Sequence, residues 1–511
     1  MLSRVAAVKA PRTHKLRRVT GSSGRRREGR ESEPQRPHMP RRVFTSAVLL
    51  LLIVMMCCGT GGATATEKPK SGNGSSPSPS FVWKDGKGGE TVSSLRVPSL
   101  VEMNGDVFAV AEAQLKEEGG FTGIASELLT LTDKESKELD TTKLMTQVLE
   151  ECPSQNKNCA SQTEDQDASE SRKKVRVSRP TTVVNGSDIY MFAGTYRFEV
   201  TEGVDRTAAA AKWGLLVASG NFSTEGSDKR IYWNDAYVIP WTEFETQQKS
   251  LTGLIGGGGS GVQMKDGTLV LPVEGTKTNG KAVSLTLYST VTGGGNLSKG
   301  MSADGCTDPS VVEWKDKLMM MTVCDDGRRR VYESGDKGDS WTEALGTLSR
   351  VWGNKQGEGA KGVRSGFTTA TIGDDKRNVM LVTLPVYPEK DGKKEKGELR
   401  LWLTDNTHIV DIGPVSGEGD DAAASSLLYK SGDNKEEKLI ALYERKVGDE
   451  KPSPGMVSVR LTEQLKRVKE VLATWKEVDN RVSQLCPNSS ATVSKSTGTA
   501  CTTDKITDGL V

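Results

Sequence analysis

The chain has 511 residues, with 69 Lys/Arg against 67 Asp/Glu and a formal net charge of +2. That length calls for one large domain or several. Residues 1–65 hold 13 of the basic residues and 3 of the acidic ones, so the rest of the chain has 56 basic and 64 acidic residues, a net of −8. The nominal basicity belongs to the leader, and nucleic-acid binding by a basic surface is excluded as the basis of function.

Ala47 to Cys58 is an unbroken apolar run, preceded by Arg41-Arg42 and followed by Gly59 to Ala65. It falls short of the roughly 20 residues that span a bilayer. It fits the apolar region of a secretory signal, with Ala63-Thr64-Ala65 as the cleavage site and Met39 as an internal start that gives a signal of ordinary length. Residues 1–65 are therefore expected to be leader and signal, and the product to enter the secretory pathway for the cell surface or secretion. Residues 66–90 begin rich in Ser, Gly, Pro and Lys and read as a flexible linker.

From residue 91 to 457 the pattern is short strands split by turns. Val107-Phe108-Ala109-Val110, Ile189-Tyr190-Met191-Phe192, Ser284 to Tyr288, Leu318 to Val323 and Leu399 to Leu403 are examples. Asn104-Gly105, Asn185-Gly186, Asp266-Gly267 and Asp326-Gly327 supply the turns. The repetition predicts an all-β propeller or a large sandwich. Residues 132–175 and 387–397 read as polar insertions. Gly256-Gly257-Gly258-Gly259-Ser260-Gly261 lacks the Lys-Ser/Thr and the helix of a phosphate loop and reads as a flexible hairpin connection. Residues 458–486 then change period. Leu461, Leu465, Val468, Leu472, Trp475 and Val482 recur at helical spacing, which predicts an amphipathic helix packed on the domain before it. Residues 487–511 are a Ser/Thr-rich tail.

Cysteine and histidine limit the chemistry. Cys57 and Cys58 leave with the signal, and the six that remain read as disulfides. Sequence neighbours suggest Cys152–Cys159, Cys306–Cys324 and Cys486–Cys501, among the 15 pairings six cysteines allow. No CxxC spacing occurs and only His408 survives the leader, so no metal site and no cofactor are expected. His408 reads as a surface-loop residue. Asn73, Asn185, Asn221, Asn296 and Asn488 head glycosylation sequons.

Ser334-Gly335-Asp336-Lys337-Gly338-Asp339-Ser340-Trp341 is the most specific stretch. Asp336 can accept hydrogen bonds from nearby backbone N–H groups, Gly338 supplies a positive φ, and Trp341 gives an apolar anchor. This is the Asp box of sialidase-type β-propellers. With it, in order, stand Ser94-Leu95-Arg96-Val97-Pro98, Gly305-Cys306-Thr307-Asp308-Pro309, Arg328-Arg329-Arg330-Val331-Tyr332-Glu333-Ser334, Leu345 to Gly353 and Leu401-Trp402-Leu403-Thr404-Asp405-Asn406. Together they resemble the trypanosomal trans-sialidase superfamily of surface glycoproteins. The resemblance implies a six-bladed propeller, a connecting α-helix and a C-terminal lectin-like sandwich. Of that sandwich this chain is expected to hold only the start, at Asp508-Gly509-Leu510-Val511, and to stop before any lipid-anchor signal.

The same resemblance implies a degenerate site. The family clamps a carboxylate with three arginines. Arg96 matches the first, Val323 stands at the second and Lys396 near the third. Ala424 stands where the tyrosine nucleophile belongs, and Tyr429, five residues along the strand, is expected elsewhere. Asp308 aligns with the glutamate that activates that tyrosine, and Arg179 with an aspartate that contacts the sugar. Glu118 lies where the acid/base aspartate belongs, and Thr201 to Val204 show no acceptor-site aromatic. Glu444 matches an acidic residue that orients Arg96. The expectation is a catalytically inactive surface or secreted glycoprotein. Its role would be adhesion to host glycans, matrix or cell-surface protein, and antigenic display. Membrane contact is expected only through an anchor outside these 511 residues. The alternative is an active exo-α-sialidase or trans-sialidase with a rearranged site. Ion pairs of a scaffold are an equally strong reading of Arg96, Asp308 and Glu444.

Overall fold

A computed structural model describes residues 79–485, outside 87–91, 117–121, 131–135, 154–171, 199–212, 224–228, 290–294, 353–361, 433–435, 448–452 and a few single or paired positions. The leader, Glu118, Asn73, Asn488, Thr201 to Val204, Cys159, Cys486, Cys501 and the tail lie outside the described residues.

Apart from a two-stranded ribbon of Glu389–Lys390 with Lys393–Lys394, the strands form six sheets of four to six strands, taken in chain order as blades 1 to 6. Blade 1 opens on Val92–Met103 and blade 2 on Thr181–Asn185. Blade 3 is built around Leu269–Lys277. Blades 4, 5 and 6 open on Cys306–Trp314, Gly366–Ile372 and Asp421–Ser431. Most turns are tight, and at Asn104-Gly105 both residues take the positive φ that such hairpins need. The ring closes through Lys137–Glu138, which pairs with Val457 and Ser458 in the last strand of blade 6. This closure removes the exposed edge that an open sheet stack would leave.

The six apolar clusters show why the blades stack. Each is built from two neighbouring blades: Phe108 and Leu149 with Met191 and Leu216, Leu215 with Leu285, Val270 with Met320, Met319 with Met380, Leu401 with Tyr443, and Leu442 with Leu100. Strand alternation sends one face of each sheet to the blade before and the other to the blade after. Both faces are therefore buried, and the strands read as nearly continuous apolar runs. The helix covers Thr462–Leu485. Leu465, Val468, Leu472 and Trp475 pack into the cluster of blades 5 and 6, while Val478 and Val482 are exposed. Residues 458–460 end the last strand instead of opening the helix. His408 stacks on Trp475 at 4.9 Å and accepts a place in the Asp405 loop, where its N–H donates to Asp405 Oδ1 at 2.7 Å.

The hairpin at Ser334 is as its residues imply. Asp336 Oδ1 accepts from the Ser340 N–H at 2.8 Å and Oδ2 from the Ser340 hydroxyl at 2.6 Å. Those bonds hold its carboxyl down at about 2. Gly338 has φ +97°, and a Cβ there would lie 2.6 Å from Thr286 Oγ1. Trp341 packs beside Val311, Met320 and Tyr332. Ser334, 3% exposed, accepts from the Gly338 N–H at 2.8 Å and donates to Asp336 Oδ1 at 2.7 Å. Ser334→Ala is expected to cost about 1–2 kcal/mol, because it leaves a buried N–H without an acceptor. Urea unfolding checks this, and an unchanged midpoint contradicts it.

Cys306 and Cys324 are disulfide-bonded across the first two strands of blade 4. Cys152 is also disulfide-bonded. Asn185 and Asn221 are exposed and Asn296 is half-buried. No described helix is long and apolar enough to cross a membrane. Among the described residues no group of three or more His, Cys, Asp and Glu is placed to hold a metal.

Candidate functional site

Three blades begin alike. Val97, Arg179 and Asp308 each precede a proline, at Pro98, Pro180 and Pro309. Each has left-handed backbone, with φ of +58°, +49° and +51°. A proline disfavours helical backbone in the residue before it, and a β-branched residue at positive φ is an outlier. Such conformations cost on the order of 1–3 kcal/mol each and persist only when their surroundings hold them. Here the neighbouring blade holds them. The Val97 N–H donates to Glu444 Oε1 at 2.7 Å, that of Arg179 to Glu112 Oε2 at 2.9 Å, and that of Asp308 to Glu274 Oε2 at 3.2 Å. One carboxylate from blade 6, 1 or 3 thus pins the opening of blade 1, 2 or 4. Register shifts between Arg96 and Ser99 and between Thr307 and Ser310 mark the bulges that result.

Arg179 links these positions. Its Nη2 donates to Asp308 Oδ1 at 2.7 Å and to the Gly257 carbonyl at 3.1 Å, and its Nη1 to Glu274 Oε2 at 3.2 Å. About a quarter of the Arg179 and Asp308 side chains is exposed. Burial pushes Glu274 up despite the opposing pull of Arg179. Burial likewise pushes Glu444 up to about 7, with the Val97 N–H and Arg96 pulling the other way and Asp308 and Glu112 adding to the rise.

Arg96 is different. It is exposed, and among the described residues no hydrogen bond or ion pair holds its guanidinium, although its charge is felt at Glu444. Val323 is buried and pairs across the strand with Arg329. Lys396 is exposed and donates to the Gly419 carbonyl at 3.1 Å. Ala424 sits at the bulge between Ala422 and Ser425, where blade 6 opens. Tyr429 is further along the same strand, and its hydroxyl donates to the Thr371 carbonyl and Glu437, both at 2.9 Å. It belongs to the packing of blades 5 and 6 and does not join Arg179 and Asp308.

Sequence reasoning passed over Glu112, Glu274, Arg329 and Arg364. Arg329 and Arg364 are only 4% and 6% exposed. Burial lowers both to about 10. Arg329 had a readable signal: in the strand Arg329–Ser334 its side chain must face opposite to Arg330. Arg330 duly reaches outward to Asp326 at 2.8 Å, and Arg329 turns inward. Arg364 had none, since Gly362-Val363-Arg364-Ser365-Gly366 has no period. It also explains the glycine run. That run is an ordered element, with Gly259–Ser260 paired in parallel with Thr181–Thr182. A Cβ on Gly259 would lie 2.1 Å from Arg364 Nη1, and one on Gly257 would lie 2.9 Å from Pro309. Close approach of blades 4 and 5 requires glycine there.

Among the described residues Arg96 is an exposed guanidinium without a partner, within electrostatic reach of Glu444, while Arg179 is paired with Asp308 and Glu274. Asp308 cannot serve as a free base while Arg179 neutralises it, and no nucleophilic side chain stands at Ala424.

The BNR repeat-like domain model matches residues 97–444. The chain is 34% identical over 307 residues to a Trypanosoma cruzi sialidase, covering 59% of this chain and 25% of that protein. It is 33% identical over 313 residues to the T. cruzi sialidase 85-1.1, covering 59% of this chain and 40% of the other. The chain therefore spans well under half the length of these relatives. Among solved structures it is similar to Trypanosoma rangeli sialidase in complex with the inhibitor DANA, with a TM-score of 0.58 and 28% identity over 77% of this chain and 59% of that one. A mutant of that sialidase displaying trans-sialidase activity gives 0.60 and 28% over 80% and 61%. The six-bladed ring, the Asp box and these similarities agree: the chain belongs to the BNR repeat-like family and, within it, to the trans-sialidase superfamily.

Proposed function

We propose that this chain is a non-hydrolysing, glycan-binding member of the superfamily, exported through its leader to the surface or medium. There it acts in adhesion to host glycans, matrix or cell-surface protein and in antigenic display. The observation that carries this reading is the Arg179–Asp308 ion pair at 2.7 Å, together with an alanine at 424, where the resemblance puts the nucleophile. A glycosidase of this family needs a nucleophile and an activating carboxylate. This arrangement supplies neither, and losing one member of such a unit already removes several orders of magnitude in rate. Arg96 remains free to form a charge-assisted pair with the carboxylate of a sialylated glycan. The relatives named as sialidases, and the T. rangeli enzyme solved with sialic acid, make that sugar the first ligand to test.

The expected result is no release of fluorophore from a fluorogenic sialoside above buffer, together with saturable binding of sialyllactose by saturation-transfer NMR. Binding should fall about tenfold or more in Arg96→Ala, the effect of losing a charge-assisted hydrogen bond. Hydrolysis abolished by Arg96→Ala would establish the opposite reading, an active sialidase with a rearranged site. Absence of binding to sialylated, desialylated and matrix-coated surfaces alike would remove the adhesion reading.

A further inference from the structure

Tyr387 has no role in the reading above. It follows Arg377–Val386, the second strand of blade 5, and the chain comes back against its ring at Gly397. A Cβ on Gly397 would lie 2.8 Å from Tyr387 Cε1, 3.3 Å from its Cζ and 2.5 Å from the Ala422 carbonyl oxygen. The hydroxyl end of the ring therefore stands against the backbone that opens blade 6. Two bonds fix this contact. The Ala422 N–H donates to the Gly397 carbonyl at 2.8 Å, and the Gly397 N–H donates to Asp421 Oδ1 at 2.9 Å.

Arg96 flanks the same opening from blade 1. The Val97 N–H is held by Glu444, and Glu444 lies opposite the bulge between Ala422 and Ser425. At that opening Ala422, Ala423 and Ala424 project only a methyl group each, and Ala424 is half-buried. The Tyr387 ring is half-buried too, and its hydroxyl has no hydrogen-bond partner among the described residues. Asp421, whose charge it feels, is taken by Lys446 at 3.1 Å and by the Gly397 N–H. Burial raises the phenol, with Lys446 and Arg329 pulling it down and Asp421 adding to the rise. The hydroxyl thus keeps its proton at neutral pH and can donate as well as accept. A polar group in such a place gains from a partner that the protein does not supply.

Resting on the glycan-binding reading above, we propose that Tyr387 is a second ligand-contacting residue. An acidic sugar lies across the alanine opening of blade 6, with its carboxylate on Arg96 and a sugar hydroxyl on Tyr387. A bare carboxylate has no second group to offer and gains nothing from the phenol, so Tyr387 selects for the sugar.

Sialyllactose is the probe. Tyr387→Phe removes only the hydroxyl and keeps the ring on Gly397. Its urea midpoint is expected to match that of the parent chain. Its dissociation constant, titrated by saturation-transfer NMR, should rise about three- to tenfold, the effect of losing one neutral hydrogen bond. Unchanged affinity in Tyr387→Phe, with the loss in Arg96→Ala still seen, overturns the assignment and leaves the glycan-binding reading standing. A midpoint that falls together with the affinity assigns the hydroxyl to folding and overturns it as well. No binding by the parent chain removes both.

Discussion

Glu444→Gln is expected to abolish a pH dependence of stability between about pH 4.5 and 7, and to leave the variant more stable than the parent at pH 8. Burial raises the Glu444 carboxyl from 4.5 to about 7 in the folded chain. Between those values the folded state holds a proton that the unfolded state has released. The contribution is therefore fully present below 4.5 and is lost as pH rises through 7. At about 1.36 kcal/mol per unit, the lost stability is on the order of 3 kcal/mol. Gln can still accept from the Val97 N–H, which Glu444 accepts at 2.7 Å, so the strained opening of blade 1 keeps its support. Urea unfolding of both proteins from pH 4 to 8 measures the difference. Parallel curves would show that Glu444 is ionised throughout and that Arg96 compensates it.

Arg179→Met should destabilise the chain by about 2 kcal/mol at pH 7, at the low end for a broken ion pair because a quarter of each partner is exposed. Removing the guanidinium leaves Asp308 and Glu274 as like charges with one N–H between them. Glu274, already pushed up by burial, then loses the pull that Arg179 exerts. Its protonation relieves the repulsion, so the deficit should shrink as pH falls toward 5. A deficit that is constant from pH 5 to 8 would assign the loss to packing alone. The same variant frees Asp308, but with no nucleophilic side chain at position 424, no sialoside hydrolysis is expected to appear.

These two predictions rest on contacts of very different legibility. The Ser334–Trp341 hairpin was readable residue by residue, because its chemistry is local: a carboxylate four residues from the N–H it accepts, and a glycine where φ must be positive. The helix was readable from its period over Leu465, Val468, Leu472 and Trp475. Only packing decided that Val478 and Val482 stay exposed. The Arg179-Pro180 and Asp308-Pro309 dipeptides were visible as well, but not the device they build. Each strained residue is held by a carboxylate on another blade, 34 to 347 residues away in sequence.

By itself, the amino-acid sequence determined the strand pattern, the turns, the Asp box, an arginine at 96 and an alanine at 424. Each is a property of one residue or of a short run. Tertiary structure alone decided which charges meet. Ring closure brings blades 2, 3 and 4 to one axis, and there Arg179 neutralises Asp308. The same closure buries Arg329 and Arg364 without an ion-pair partner among the described residues. Ion pairing falls off within a few ångströms, whereas the chain positions that supply it are set by how six sheets stack.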